Sequence, residues 1–303
     1  MDFNLSGFLF ITGCGAFLCI LWFFLELRKK TGCGRSLLIS LLSLALGGLL
    51  GFACARLVYI LCMIQFRFPF LEISYDQMSY YGGMAGVVLG VLLSALICRQ
   101  NVRETLNVFA PMGALLAASV RFAEYCLGEF GAGDWMEEGI FFPVTVGIGD
   151  AEYPDFYLAV FMLEGFLALV AMILSVVNRE GRYNWVRTLF WLCLPQVLCE
   201  SLRLNSISWR FVRAEMLFCF LWCEGVLVWY ALKAKRKKFS SWIPAVTGLV
   251  VCGLVIVLEF VKDGKITFGG ELAPHWAVYA AMAAGLAVMA VMETVGHKRI
   301  QNS

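Results

Sequence analysis

Nine apolar runs divide the chain, each near the roughly 17–25 residues that a bilayer core requires of a helix. They lie near residues 6–27, 37–63, 80–98, 105–125, 156–177, 186–204, 211–232, 242–261 and 275–295. The fourth and sixth are the least apolar. Uninterrupted apolar stretches of this length read as membrane-spanning helices, so the pattern predicts an all-α polytopic membrane protein with about nine transmembrane helices.

The polar positions between the runs set an orientation. Arg28, Lys29, Lys30 and Arg35 follow the first run, Arg99 and Arg103 the third, and Arg179, Arg182 and Arg187 the fifth. Lys233, Lys235, Arg236, Lys237 and Lys238 follow the seventh, and Lys298 and Arg299 the ninth. Lys and Arg accumulate in cytoplasmic loops, so every odd-numbered run is expected to end in the cytoplasm. The amino terminus is then outside and the carboxyl terminus inside. Residues 122–178 contain no Lys or Arg; they carry Glu129, Asp134, Glu137, Glu138, Asp150, Glu152 and Asp155. That composition predicts a long acidic outer loop, 128–155. The segment 65–79, with alternating aromatics, is expected to rest in the membrane interface.

Composition agrees. Of 303 residues, 61% are hydrophobic and 15% charged, against roughly 25% charged in a soluble domain, and mean hydropathy is +0.79. The net charge of +2 matters less than where the positive charges lie. The twelve Cys are scattered without a CxxC pair and read as small apolar residues. With two His in the chain, a His-based metal centre is not expected, nor is any cofactor. The first run is long enough to span and its basic cluster follows it, which is not the pattern of a cleavable leader.

Ionisable residues inside apolar runs are costly, about 2.5–3.5 kcal/mol for one Arg or Asp at mid-bilayer on insertion scales. Such groups persist where they pair, bind something charged or do chemistry. The densest stretch is Arg121-Phe-Ala-Glu124-Tyr-Cys-Leu-Gly128-Glu129, at the end of the fourth run. Arg56 sits deep in the second run, with pairing to a carboxylate as its plain reading. Gln196, Glu200 and Arg203 share one face of the sixth run at spacings of four and three, though Glu200 and Arg203 pairing with each other is the simpler alternative. Glu164 is a further intramembrane carboxylate. In the third run Gly82, Gly86 and Gly90 form a four-residue repeat that lets a neighbouring backbone approach; the alternative is that Gly82 and Gly83 clear room for a ligand beside Tyr81. Together these residues predict an outward-facing polar cavity. Arg56, Arg121 and Arg203 suit a phosphate-bearing headgroup, and the apolar walls suit acyl chains. No Ser-His-Asp arrangement, metal cage or P-loop is legible. The three-residue spacing of Arg121 and Glu124 also allows an internal salt bridge that occupies the Arg.

Over roughly residues 5–232 the chain resembles the bacterial prolipoprotein diacylglyceryl transferases. Ala55-Arg56-Leu57-Val58-Tyr59 is similar to the family's Gly-Ala-Arg-Leu-Gly-Tyr, and Tyr81-Gly82-Gly83-Met84-Ala85-Gly86 to its His-Gly-Gly-Leu-x-Gly. The stretch Val120 to Glu129 is similar to Gly-Arg-x-Gly-Asn-Phe-x-Asn-x-Glu, Pro154-Asp-Phe-Tyr157 to its Pro-x-x-x-Tyr-Glu type, and Gln196 to Arg203 to Arg-Phe-x-x-Glu-x-x-Arg. The resemblance implies transfer of diacylglyceryl from phosphatidylglycerol to a lipobox Cys thiol in the bacterial plasma membrane, with Arg121, Glu129, Glu200 and Arg203 as catalytic residues. Arg56, Tyr81, Gly82, Gly83, Glu124 and Gln196 would then line the substrate site. The implied partners are a phosphatidylglycerol-like phospholipid and a lipobox-containing precursor protein, with no nucleic acid.

The chain departs from the family pattern at functional positions. The motif His is Tyr81, the motif Asn is Glu124, an Arg is Gln196, and Thr12 lies near the place of the Tyr expected in the first run. Loss of one such electrostatic contact raises a barrier by about 3–4 kcal/mol, and Tyr81 removes the His base that would promote a thiol with a pKa near 8.5. Glu124 adds a negative charge that opposes an anionic headgroup. A transferase with altered site residues is therefore the leading reading, with a catalytically lapsed or altered-specificity lipid- and lipoprotein-binding protein as the alternative and a small-solute transporter as a third. The transporter is the weakest, because no inverted repeat or broken helix pair is evident. In domain terms, residues 1–238 are expected to form the transferase-like part and 239–303 two additional carboxyl-terminal helices.

Overall fold

The computed structural model describes residues 4–63, 77–149, 155–179, 181, 183–209, 212–234, 239–266 and 274–301. Most of the expected interfacial segment, up to residue 76, lies outside these residues. So do Asp150 to Pro154, Arg182 and Lys235 to Lys238.

Nine long helices follow the nine apolar runs: α1 (Leu5–Thr31), α2 (Cys33–Met63), α3 (Tyr80–Ile97), α4 (Val102–Ala123), α5 (Val160–Val177), α6 (Asn184–Leu202), α7 (Ala214–Lys233), α8 (Ile243–Lys262) and α9 (His275–Gln301). Among the described residues, eight of them are long and apolar enough to cross a membrane; α6 falls short, because Arg187, Gln196 and Glu200 dilute it. α1 and α2 are separated only by Gly32. Its φ of 82° is open to glycine without strain, and its N–H closes on Arg28 O at 3.3 Å. The basic residues Arg28, Lys29 and Lys30 occupy the last turn of α1, where they meet the negative end of the helix dipole.

The acidic region expected to form an outer loop is not simply a loop. Strands β1 (Trp135–Met136), β2 (Thr145–Ile148) and β3 (Asp155–Leu158) form an antiparallel sheet in the order β1-β3-β2. Thr145 pairs with Leu158 and Trp135 with Tyr157. This corrects the fifth span, expected from residue 156: β3 takes those residues into the sheet, and α5 begins at Val160. Ala132, Val146, Ile148, Ala159 and Phe161 form the small core beneath. A two-stranded pair, β4 (Ser208–Trp209) with β5 (Val212–Arg213), precedes α7.

The chain forms two compact units, Met1–Leu192 with Leu202–Glu215, and Cys193–Ser201 with Met216–Ser303. Their division does not fall at 238/239; α7 from Met216 groups with α8 and α9. In the first unit α1 packs on α4 through Cys19, Phe23 and Leu27 against Leu106, Phe109 and Met112, with the Phe23 and Phe109 rings edge to face at 5.4 Å. α3 lies on α2 through its glycine face. A Cβ built on Gly86 would stand 2.2 Å from Leu50 O, and one on Gly90 2.4 Å from Gly47 N. The same holds at Gly82, 2.8 Å from Cys54 O. The spacing therefore serves helix packing, as in other small-residue interfaces. Gly86→Ala is expected to destabilise the first unit by about 1–3 kcal/mol, the usual cost of overpacking. Gly48→Ala, with open space at its Cβ, is expected to leave the melting temperature unchanged or slightly higher. Comparing the two melting curves in one detergent checks this.

In the second unit α7, α8 and α9 bury Phe220, Leu227, Val255 and Met282. Tyr230 on α7 donates its hydroxyl to Glu293 of α9 at 3.0 Å. Glu259 of α8 accepts from the Ser201 hydroxyl and pairs with Lys262 at 3.3 Å.

Candidate functional site: a closed ring of arginines and glutamates

The first unit brings four charged side chains together where α4, α5 and the chain after α6 meet. α4 carries Arg121 in its last turn, and Glu124 opens the 3-10 segment that follows it, Glu124–Gly131. α5 carries Glu164 just over one turn from its start. The close approach of α5 to α4 depends on Gly165, where a Cβ would stand 2.4 Å from the Phe122 ring.

Arg203 is held by backbone pairing to the strand-bearing region. Asp134 N donates to Leu202 O at 3.1 Å, and Leu204 N to Ala132 O at 3.1 Å. Between them Gly133 bridges to Arg203. A Cβ at Gly133 would lie 2.7 Å from Leu202 O, so a larger residue there would push the strand and Arg203 apart.

Each arginine touches both carboxylates. Arg121 Nη1 donates to Glu124 at 2.7 Å and its Nε lies 3.1 Å from Glu164 Oε2. Arg203 Nε donates to Glu164 at 3.1 Å, and its Nη2 reaches Glu124 and Glu164. Arg121, Glu124 and Glu164 have no exposed surface, and Arg203 retains 7%. The ring is therefore dry, alternating and formally neutral. Charges this deep are tolerated only when paired and hydrogen-bonded, and the alternation provides that. Arg121 also stacks on Tyr80, 3.6 Å from guanidinium carbon to ring centroid, and the Tyr80 hydroxyl donates to Ala117 O at 3.2 Å. Ser79, which caps α3 through Gly82 N at 3.1 Å, donates to a third buried carboxylate, Glu215, at 2.8 Å.

The residues singled out from the sequence fall in several places. Arg121, Glu124 and Arg203 join the ring, and the spacing-based Arg121–Glu124 bridge is present. Glu164 joins it too, through contacts to arginines distant in sequence. Arg56 is fully buried and donates from Nη1 to the Gln77 carbonyl at 3.0 Å and its side-chain oxygen at 2.7 Å. Tyr81 is buried, edge to face with Tyr80 at 5.0 Å, and it is on the Tyr80 ring that Arg121 stacks. Gly82 and Gly83 face α2: a Gly83 Cβ would be 3.6 Å from Ala55 Cβ. Glu129 is exposed in the 3-10 segment. Its charge acts on Tyr157 of β3, whose phenol is pushed above the usual range by desolvation and then by Glu129 and Asp155. Gln196 and Glu200 lie in the second unit, both buried on α6. Tyr80, Ser79, Gln77 and Glu215 were not foreseen as site residues.

An apolar crevice lies along the same helices. Met84, one turn beyond Tyr80, lines it with Val88, Leu106, Phe109, Leu189 and Leu192.

A model of the prolipoprotein diacylglyceryl transferase family matches residues 3–291. The chain belongs to that family. The match runs beyond the stretch over which the motifs are legible and takes in α8 and most of α9. No curated protein and no solved structure matches the chain. As a member of the prolipoprotein diacylglyceryl transferase family it is a multi-pass membrane protein with a transferase-like function in general terms, and lipid and lipoprotein precursors are the substrates the family implies. In this chain Glu124 closes the ring of Arg121, Glu164 and Arg203.

Proposed function

We propose that this family member holds a phospholipid and a lipobox-bearing precursor without carrying out the ordinary transfer from phosphatidylglycerol. The observation that carries this reading is the neutral ring: Arg121 and Arg203 already spend their charge on Glu124 and Glu164. An anionic headgroup has to displace a buried carboxylate before it reaches either guanidinium. Breaking a buried pair costs about 3–5 kcal/mol, equivalent to about a hundred- to several-thousand-fold in binding. Tyr81 in place of the motif His and Gln196 in place of an Arg act in the same direction, one removing a base and the other a cation. We place the ring at the outer face of the bacterial plasma membrane, with the amino terminus outside, on the strength of the basic loops.

A second reading keeps the transferase active, with Glu129, Glu200, Arg121 and Arg203 in catalytic roles and the ring opening on substrate binding. It is favoured by the retention of both ring arginines. The two readings separate in cells depleted of their own transferase, assayed for lipidation of a lipobox peptide. The native chain is expected to leave lipidation at background, and Glu124→Asn with Gln196→Arg together to raise it measurably. Rescue by the native chain, abolished by Arg121→Ala, would overturn the inactive reading. Silence of the double variant would show that the cavity has diverged beyond these positions and would remove ring closure as the explanation.

A further inference from the structure

The second unit contains a buried acid that the ring does not explain. Glu224 lies on α7, ten residues after Ala214 and nine before Lys233. At about 1.5 Å per residue it sits near 14–15 Å from each end, the middle of a core about 30 Å thick. It is 9% exposed, and neither carboxyl oxygen has a hydrogen-bond partner among the described residues. Its head occupies a notch on α8: a Cβ added to Gly248 would stand 2.2 Å from Glu224 Oε2. The same Cβ would meet Leu227 at 2.8 Å. Gly248 thus makes room for a carboxyl group and not for a neighbouring backbone.

Among the described residues, the titratable groups that act on Glu224 are thiols, those of Cys223 and Cys252. Cys219 and Cys223 are on its own helix and Cys252 on α8. Elsewhere in the unit α9 carries Glu293, bound by the Tyr230 hydroxyl, and His297, its ring 6.0 Å from that of Tyr230, and α6 carries the buried Cys193 and Glu200. An isolated carboxylate in hydrocarbon carries a solvation penalty that it relieves by neutralising.

We infer that Glu224 in the Gly248 notch is a proton-binding site in the middle of the membrane, occupied as the neutral carboxylic acid and coupling the docking of α7 on α8 to protonation. Losing the proton places a charge against apolar side chains and thiols, and the acid then leaves the notch toward water.

A hydrophobic carbodiimide tests this on the full chain in phospholipid vesicles, because it reacts with protonated acids in apolar surroundings. The acid proton moves to one carbodiimide nitrogen while the carboxyl oxygen bonds the central carbon, and no group leaves. The expected result, read by mass spectrometry, is an adduct of dicyclohexylcarbodiimide at Glu224 at neutral pH, absent with a water-soluble cationic carbodiimide. Above the acid's pKa its yield falls about tenfold per pH unit. Glu224→Gln, a neutral mimic, is expected to lose the adduct and keep the native melting temperature, while removing the fall in melting temperature that the wild type shows at high pH. Absence of a Glu224 adduct in the intact protein overturns the proposal, as does equal labelling by the soluble reagent. So does a lower melting temperature for Glu224→Gln at neutral pH, the result expected if the charged form holds a cation.

Discussion

Glu164→Ala is expected to destabilise the first unit by about 3–5 kcal/mol, the cost of leaving a buried charge without its partner. At the entropy of unfolding usual for 150–250 residues this corresponds to a fall of about 6–20 °C in melting temperature. Glu164 serves Arg121 Nε at 3.1 Å and Arg203 Nε at 3.1 Å at once. Its removal leaves the buried Arg121 and Arg203 guanidinium groups with one ring carboxylate, Glu124, so the ring changes from neutral to a net positive charge. The source of the loss can be distinguished from mere loss of contacts. Glu164→Leu combined with Arg203→Met leaves Arg121 and Glu124 as a neutral pair at 2.7 Å, and apolar replacement of a buried ion pair is often close to neutral. The double variant is therefore expected to melt above Glu164→Ala despite having lost more hydrogen bonds. If it melts at or below the single variant, charge imbalance is not what the ring guards against. Non-additivity of this kind is expected only for residues that share partners.

The same ring shows what a sequence discloses and what it withholds. The nine apolar runs became nine helices because hydrocarbon leaves no other local way to satisfy the backbone, and that constraint is written in length and composition alone. The Arg121–Glu124 contact was legible for the same local reason, since residues three apart lie on one face of a helix. The Gly82, Gly86 and Gly90 spacing likewise pointed to a close helix neighbour. Glu164 was visible as an intramembrane carboxylate, but its two arginines come from α4 and from beyond α6, and no spacing encodes such a meeting. The three-stranded sheet was not legible at all. Strands of two to four residues are too short for alternation to stand out against loop composition, yet this region is what fixes Arg203 through Leu202 and Leu204. Tyr81 drew attention through the family motif, whereas Arg121 stacks on the Tyr80 ring. Neighbouring residues on a helix point about 100° apart, and the phase of α3 against α4 is a tertiary fact.

That phase makes Tyr80 the second strong test. Tyr80→Ala is expected to cost about 5 kcal/mol, adding the lower end of an aromatic-to-Ala loss, about 3 kcal/mol, to a desolvated cation–π contact worth about 2 kcal/mol. The lower end applies because Tyr80 is only partly buried, while the contact itself is tight, 3.6 Å from the Arg121 guanidinium carbon to the ring centroid. Tyr80→Phe keeps the ring and loses the hydroxyl bond to Ala117 O at 3.2 Å, so its expected cost is about 1 kcal/mol, that of one ordinary hydrogen bond. Tyr80→Leu keeps much of the apolar volume but offers no π face to the cation, and is expected to fall between the two. Unfolding monitored in one detergent gives the order Phe, Leu, Ala from mildest to most severe. Should Leu match Phe, the stacked cation contributes nothing and Tyr80 serves only as packing. Should Phe match Ala, the hydroxyl bond to α4 dominates, and the role of Tyr80 is to set the spacing of α3 against α4 that lets Arg121 turn toward its carboxylates.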